Sequence, residues 1–169
     1  METNSVRFFI DKEYPELPGK PIIAAWQISN PENIGNLIRL ADNVGANEVF
    51  ILGQDFQFRM SSIKKTAGLS FEHVRLSFAS NETFFDQLNP EYQLVAIETC
   101  EGSISIFTEK LPKNIVFLIG SEHNGLPDEI LQKCRIKIYI PMTGKCKSMN
   151  VSHALAVALF EWERQMLFA

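Results

Sequence analysis

Three short segments of this chain place polar side chains and glycines directly after apolar stretches: Asn30–Arg39, Gly120–Gly125 and Ile140–Ser152. In α/β proteins, segments of this kind follow the carboxyl ends of buried strands, where ligands bind. Hydroxyl, amide and ammonium groups at such a place suit a polar ligand. The third segment is the richest, with Thr143, Gly144, Lys145, Lys147, Ser148 and Asn150.

The first segment puts a glycine and an arginine on one face of a helix. Gly35 precedes Arg39 by four residues, and residues at that spacing are neighbours on a helix surface. Glycine inside a helix costs about 1 kcal/mol relative to alanine, so the missing side chain suggests that a ligand or a backbone approaches Arg39. The alternative is close helix packing at Gly35, with Arg39 as an ordinary surface residue.

The second segment follows the apolar run Ile115–Ile119. Its glycines permit backbone conformations that other residues avoid, and Glu122 could accept a hydrogen bond from a ligand. The segment is not a P-loop, because the Gly-Lys-Ser/Thr ending is missing, and it is not the GxGxxG dinucleotide fingerprint. An ordinary turn between a strand and a helix is the alternative.

In the third segment, Ser148 and Asn150 stand just before the final helix. Either side chain could cap that helix, but both together exceed what one cap requires. Other chemistries are not indicated. The three histidines show no metal-ligand spacing with the cysteines, so no metal site is expected, and no GxSxG nucleophile motif occurs.

Strands and helices alternate along the chain. Apolar runs predict strands at Ile22–Ile28, Val49–Leu52, His73–Leu76, Gln93–Glu98, Ile115–Ile119 and Ile136–Ile140. Helical spacing, caps and breakers predict helices from Asn30 to Gly45, from Ser80 or Asn81 to Leu88, over Pro127–Gln132 and over Val151–Phe168. The alternation predicts an α/β fold with a mostly parallel sheet and helices on both faces.

One domain over residues 1–169 is expected, with an irregular N-terminal segment over residues 1–20. A length of 169 residues and a hydrophobic fraction of 46% favour a globular core over disorder. No apolar run approaches the roughly 20 residues of a membrane span, so no membrane partner is expected. Three widely spaced cysteines fit a reducing, cytoplasmic environment. A net charge of −4 argues mildly against nonspecific nucleic-acid binding, but it leaves room for local basic clusters.

The final helix is apolar nearly all round, which is typical of a helix buried on most sides. In a domain of this size, a partner subunit is a natural second surface. Packing of the extra apolar face within its own subunit is the alternative.

Together, the three segments resemble the SpoU/TrmH family of RNA 2'-O-ribose methyltransferases, within the SPOUT superfamily. The family motif NPxNxGxxxR is matched by Asn30, Pro31, Asn33, Gly35 and Arg39. The motif GxExxG is matched by Gly120, Glu122 and Gly125, and the motif IPMxGxxxSxNVS by Ile140, Pro141, Met142, Gly144, Ser148, Asn150, Val151 and Ser152. Met149 and His153 depart from the residues usual there.

The resemblance implies a C-terminal trefoil knot, which general rules of topology would not predict. It also implies a homodimer with the active site at its interface, and S-adenosylmethionine bound against the knotted loops. The residues that would bind this cofactor are Glu98, Thr99, Gly120, Ser121, Glu122, Ile140, Met142, Ser148 and Met149.

The implied reaction transfers a methyl group to a ribose 2'-oxygen of RNA, with Asn33, Arg39, Ser148 and Asn150 as catalytic residues. Arginine is a poor free base because its pKa exceeds about 12, so we expect Arg39 to hold an RNA phosphate and polarise the hydroxyl. Asn33 would position Arg39 or the ribose, while Ser148 and Asn150 would shape the donor pocket and orient the hydroxyl.

A compact domain favours tRNA as the substrate, and ribosomal RNA stays open. A noncatalytic scaffold that binds RNA or an adenosine ligand is the alternative from another functional class. Intact Arg39, Ser148 and Asn150 speak against that alternative.

Overall fold

Seven strands form the sheet of this protein, and the computed structural model describes residues 4–54 and 56–168. The strands are β1 Ile22–Trp26, β2 Glu48–Leu52, β3 Arg75–Ala79, β4 Gln93–Ile97, β5 Ile104–Ser105, β6 Ile115–Ile119 and β7 Ile136–Tyr139. All pair in parallel, in the order β3-β2-β1-β6-β4-β7-β5. Strands β6, β4 and β7 are therefore neighbours, although helices and loops separate them in sequence.

Helices cover both faces of the sheet. They are α1 Asn4–Phe9, α2 Pro31–Asn43, α3 Met60–Ala67, α4 Ser70–His73, α5 Asn81–Gln87, α6 Asp128–Leu131 and α7 Val151–Phe168. One apolar core joins the sheet to α2, α3 and α7, and a second core on the other face includes residues of α5 and α6. The α/β fold with a parallel sheet and helices on both faces is thus confirmed, while the trefoil knot stays a prediction.

Local signals set the bounds of α2 as the sequence predicts. The Oδ1 of Asn30 accepts a hydrogen bond from the backbone N–H of Glu32 at 2.8 Å, and Pro31 is the first helical residue. After the helix, Gly45 adopts a left-handed φ of 69°, the conformation that commonly ends helices.

Elsewhere the boundaries differ from the predicted ones. The segment over residues 1–20 is not wholly irregular, because α1 occupies Asn4–Phe9, while residues 1–3 lie outside the described residues. Strand β3 is shifted toward the C-terminus because it pairs in register with β2, from Glu48 opposite Arg75 to Leu52 opposite Ala79. Strand β5, only two residues long, carries too little pattern to be predicted.

The final helix packs mainly within its own subunit. Leu155, Ala158, Leu159 and Trp162 are fully buried, and the indole N–H of Trp162 donates a hydrogen bond to the Pro112 carbonyl at 2.9 Å. Phe160 remains 48% exposed. The alternative of packing within the subunit therefore holds for one apolar stripe, and only the remaining face is available to a partner.

Among residues 4–54 and 56–168, none of the helices combines the length and the apolar character that crossing a lipid bilayer requires.

Candidate active site

A cavity of about 410 Å³ opens at the carboxyl ends of three adjacent strands, β6, β4 and β7. The loops that follow these strands, together with the start of α7, form its walls. Its lining combines apolar side chains with polar backbone and side-chain groups. The lining residues are Ile97, Glu98, Thr99, Ile119, Gly120, Ser121, Glu122, Gly125, Tyr139, Ile140, Met142, Lys147, Ser148, Met149, Asn150, Val151 and Ala154.

The turn after β6 closes on itself at two glycines. Ser121 and Gly125 exchange two backbone hydrogen bonds, at 3.2 and 3.1 Å. A side chain at Gly120 would place its Cβ 2.1 Å from the carbonyl carbon of Gly125, a distance that atoms do not reach. Gly125 has a left-handed φ of 63°, and its own Cβ would lie 2.4 Å from Glu98 Oε2. Close approach of backbone therefore requires a glycine at position 120, and the left-handed φ favours one at position 125.

Glu98 fixes this turn to the end of β4. Its Oε2 accepts a hydrogen bond from the backbone N–H of Leu126 at 2.9 Å, and its Oε1 accepts one from the N–H of Thr99 at 2.9 Å. The carboxylate thus joins two of the three loops that line the cavity. Glu98 therefore helps to fix the shape of the cavity wall.

Glu122 joins the glycine turn to the start of α2. Its Oε2 accepts hydrogen bonds from the backbone N–H and the hydroxyl of Ser29, at 3.1 and 3.2 Å. Its Oε1 accepts from the N–H of Asn30 at 3.0 Å and from Nδ2 of Asn33 at 2.9 Å. Both oxygens are thus occupied by protein donors, although the residue also lines the cavity.

These contacts set the charge state of Glu122. Its burial alone would raise the carboxyl pKa, but the hydrogen bonds from Asn33 and from the backbone N–H groups outweigh burial, and the pKa lies below its ordinary value of 4.5. The ionised form is therefore the one that the fold stabilises, so Glu122 is an anion at neutral pH.

Asn33 connects this carboxylate to the final helix. Its Oδ1 accepts a hydrogen bond from Nδ2 of Asn150 at 3.1 Å, while its own Nδ2 donates to Glu122. Asn33 and Ser152 are the buried polar side chains of the described residues, at 4% and 5% exposure. Asn150 Oδ1 accepts from the N–H and the hydroxyl of Ser152, at 2.8 and 2.7 Å.

One hydrogen-bonded chain thus runs through all three sequence segments, from Ser29 through Glu122, Asn33 and Asn150 to Ser152. Asn150 both caps α7, as the simpler alternative predicts, and contacts Asn33. Of the two roles predicted for Asn33, positioning Arg39 has no contact behind it, because the amide is engaged by Glu122 and Asn150. Positioning the ribose stays a prediction.

Arg39 lies apart from this chain. Its side chain is exposed, it does not line the cavity, and it makes no hydrogen bond or ion pair to the residues described. Gly35 does not leave space for a ligand beside Arg39 either, because a Cβ at Gly35 would lie 2.5 Å from the Cβ of Thr66 on α3. Close helix packing, the simpler alternative, is therefore the reason for Gly35.

The structure brings most of the predicted site residues to one wall. Ser148, Asn150 and every residue predicted to bind the cofactor line the cavity, whereas Asn33 lies one hydrogen bond behind it. The predicted cofactor-binding set leaves out Ile97 and Ile119, the last residues of β4 and β6, and also Lys147, although Lys147 belongs to the third polar segment. The rule that ligands bind at the carboxyl ends of parallel strands could have found the first two.

A cavity of this size, with apolar and polar lining residues, can hold a drug-sized ligand. The family model for SpoU rRNA methylases matches residues 20–160. This chain belongs to the SpoU rRNA methylase family. The matched residues include all three segments and every wall of the cavity.

Individual relatives of the family agree in sequence and in fold. The chain is 33% identical over 144 residues to the 23S rRNA (guanosine-2'-O-)-methyltransferase RlmB of Haemophilus influenzae, an alignment that covers 83% of this chain and 58% of that protein. The AdoMet-bound rRNA methyltransferase of Sinorhizobium meliloti superposes with a TM-score of 0.81 at 27% identity, over 92% of this chain and 59% of that one. The chain therefore spans less than two thirds of either protein.

A third relative is matched over nearly its whole length. A structure that describes 2-OH methylation of C/U34 on tRNA superposes with a TM-score of 0.79 at 27% identity, and the match covers 88% of this chain and 97% of that one.

Proposed function

We propose that this protein is an S-adenosylmethionine-dependent methyltransferase that methylates a ribose 2'-oxygen of RNA. The single observation that carries the proposal is the hydrogen-bonded chain that joins Asn33, Glu122 and Asn150, one from each family segment, beside the cavity. Membership of the SpoU family supports the reaction class, and the AdoMet-bound relative supports the methyl donor.

The cavity fits such a donor. The apolar residues Ile97, Ile119 and Ile140 line the cavity together with the polar residues Thr99, Ser121 and Ser148, which suits an adenine ring with polar edges. When bound, the donor would supply a methyl group on a positively charged sulfur. Gly120 and Gly125 keep the turn compact, since a side chain at Gly120 would meet the backbone of Gly125 and Gly125 adopts a left-handed φ.

The chain's own residues would then position the acceptor. The side-chain amide of Asn150 cannot rotate freely, because it is hydrogen-bonded to Asn33 and Ser152. It would therefore keep one orientation in the wall that faces the donor. Ser148 lines the same wall and would orient the ribose hydroxyl. Asn33 is a positioning residue, because it acts through Asn150. Holding two reactants in alignment is a large part of catalysis for such a transfer.

Arg39 would hold an RNA phosphate and polarise the hydroxyl, and it would do so across a dimer interface. The guanidinium is exposed and does not line the cavity of its own subunit, so we propose that it reaches the cavity of a partner. The α7 helix, which packs on α2, leaves Phe160 48% exposed for that contact.

The dimer is tested by sedimentation at micromolar concentration. We expect wild type to sediment as a dimer and Phe160→Glu to dissociate, because a buried carboxylate without a partner is costly. Phe107→Glu is the matched control, since Phe107 is 58% exposed but lies outside α7. A wild-type monomer would exclude the shared site.

A tRNA substrate is favoured over ribosomal RNA. The structure that describes 2-OH methylation of C/U34 on tRNA is matched over 97% of its own length, which supports a tRNA substrate. A net charge of −4 leaves few basic clusters for RNA contact, so both subunits would contribute them. A cytoplasmic location would follow from either substrate and stays a prediction.

Methyl transfer from labelled donor to total RNA that lacks its own modifications tests the reaction, and nucleotide mapping of the product identifies the substrate. We expect Arg39→Ala to abolish transfer while binding of the demethylated donor stays within about two-fold, because Arg39 is absent from the cavity wall. Arg39→Lys keeps the charge but loses the planar fork, so it should recover little activity.

Arg75→Ala is the matched control, because Arg75 lies on β3, the edge strand farther from the cavity strands β6, β4 and β7. Near-normal turnover of Arg39→Ala would refute the role of the guanidinium. Donor binding by the wild type without transfer to any RNA would favour the noncatalytic scaffold instead.

A further inference from the structure

Lys147 is the one cation among the residues described as lining the cavity. The other charged lining residues are Glu98 and Glu122, and both carboxylates accept hydrogen bonds from protein N–H groups. The acidic side chains are therefore occupied by the fold itself, while the basic one stands in the loop that follows β7.

The ammonium of Lys147 has only a neutral acceptor. It donates a hydrogen bond to the backbone carbonyl of Met142, in the same loop, and it forms no ion pair with a carboxylate of the described residues. A carboxylate would be a stronger acceptor, since it adds a direct attraction between opposite charges that a neutral carbonyl does not supply. The four-carbon stem of lysine allows the ammonium to change partner.

We infer that Lys147 binds the carboxylate of the amino-acid portion of the methyl donor, exchanging the Met142 carbonyl for it. The inference rests on the proposed function, because it assumes that the donor occupies this cavity. The adenosine part of the donor carries no negative charge, so its amino-acid tail holds the one group that a lone cation on this wall would attract.

Lys145 provides a matched control. It lies two residues earlier in the same exposed loop, but it does not line the cavity. Replacing either lysine by methionine removes a charge while keeping most of the stem, so the two variants differ in whether the lost charge faces the cavity.

The test compares two ligands that differ only at the tail. S-adenosylhomocysteine carries the amino-acid carboxylate, whereas 5'-methylthioadenosine lacks the whole amino-acid group. Calorimetry with both ligands on wild type, Lys147→Met, Lys147→Arg and Lys145→Met gives dissociation constants without any turnover. Thermal unfolding of each variant checks that the fold is intact.

We expect Lys147→Met to weaken S-adenosylhomocysteine about ten-fold, the effect of one partly exposed charged hydrogen bond, and to leave 5'-methylthioadenosine within two-fold. Lys147→Arg should stay near wild type, and Lys145→Met should change neither constant. Equal weakening of both ligands would overturn the inference, because Lys147 would then only hold the loop. Unchanged binding of both ligands, with weaker binding of RNA, would overturn it in favour of a phosphate contact. Failure of the wild type to bind either ligand would instead remove the proposed donor itself.

Discussion

Glu122→Gln tests whether the carboxylate at the centre of the hydrogen-bonded chain stabilises the fold. Four donors converge on its two oxygens: the N–H and hydroxyl of Ser29, the N–H of Asn30 and Nδ2 of Asn33. The glutamine amide would keep its oxygen toward Asn30 and Asn33, because the hydroxyl of Ser29 can turn to accept from the new NH2 group. The backbone N–H of Ser29 then loses its acceptor.

The expected loss of stability follows from what these donors lose. Ser29 is exposed, so water can replace the lost acceptor, and the main cost is that the remaining bonds weaken because they lose a charged acceptor. We therefore expect the free energy of unfolding at pH 7 to fall by about 1 kcal/mol, which lowers the melting temperature by about 2–4 °C for a chain of this size. Urea titration monitored by tryptophan fluorescence measures the first quantity.

The pH dependence of the free energy of unfolding separates the effect of the Glu122 charge from the effect of its shape. The pKa of Glu122 is lowered in the folded state from its ordinary value of 4.5, so its contribution is complete above pH 4.5 and disappears as the pH falls through the folded pKa. The difference between wild type and Glu122→Gln should therefore shrink at pH 3.5, while the other carboxylates cancel in the comparison. Glu129→Gln, an exposed change of the same kind, should show no difference at either pH. A gap that stays constant with pH, or that is below about 0.5 kcal/mol at pH 7, would refute the reasoning.

Two further substitutions test close packing. Gly120→Ala should abolish binding of the demethylated donor in calorimetry, because its Cβ would lie 2.1 Å from the Gly125 carbonyl carbon. Gly144→Ala is the control and should be neutral, because nothing lies within 4 Å of the added Cβ. Trp162→Ala should lower the free energy of unfolding by about 3–5 kcal/mol in urea titration, since the indole is fully buried and donates to Pro112; a loss below about 1 kcal/mol would contradict that packing.

Local signals in the sequence were sufficient for most strands and for α2, α5, α6 and α7, but not for α1 or β5. Asn30, Pro31 and Gly45 mark the ends of α2 because caps and breakers act within a few residues of where they stand. The three polar segments lie together because the carboxyl ends of parallel strands meet at one edge.

Partners from distant parts of the chain were beyond the same reasoning. Asn33 was predicted to position Arg39 or the ribose, and its contacts to residues 89 and 117 positions away were not foreseen. Gly35 was predicted to leave room for a ligand or a backbone, or to allow close helix packing, and the sequence could not tell that Thr66 and the Ile63 carbonyl of α3 fill that room. Periodicity identifies which residues of a helix share a face, and it does not identify what packs against that face.

The chain of hydrogen bonds through Asn33 also bears on how the protein folds. Its links close loops of 89 and 117 residues, and strand β1 pairs with β6, from Ile22 opposite Val116. Contacts between residues so far apart in sequence slow folding, because loop closure must precede the contacts that stabilise it. The N-terminal strands and α2 are therefore synthesised long before Asn150 can reach Asn33. The cavity becomes complete only when the last helix docks, so we expect ligand binding to appear in the final kinetic phase of refolding.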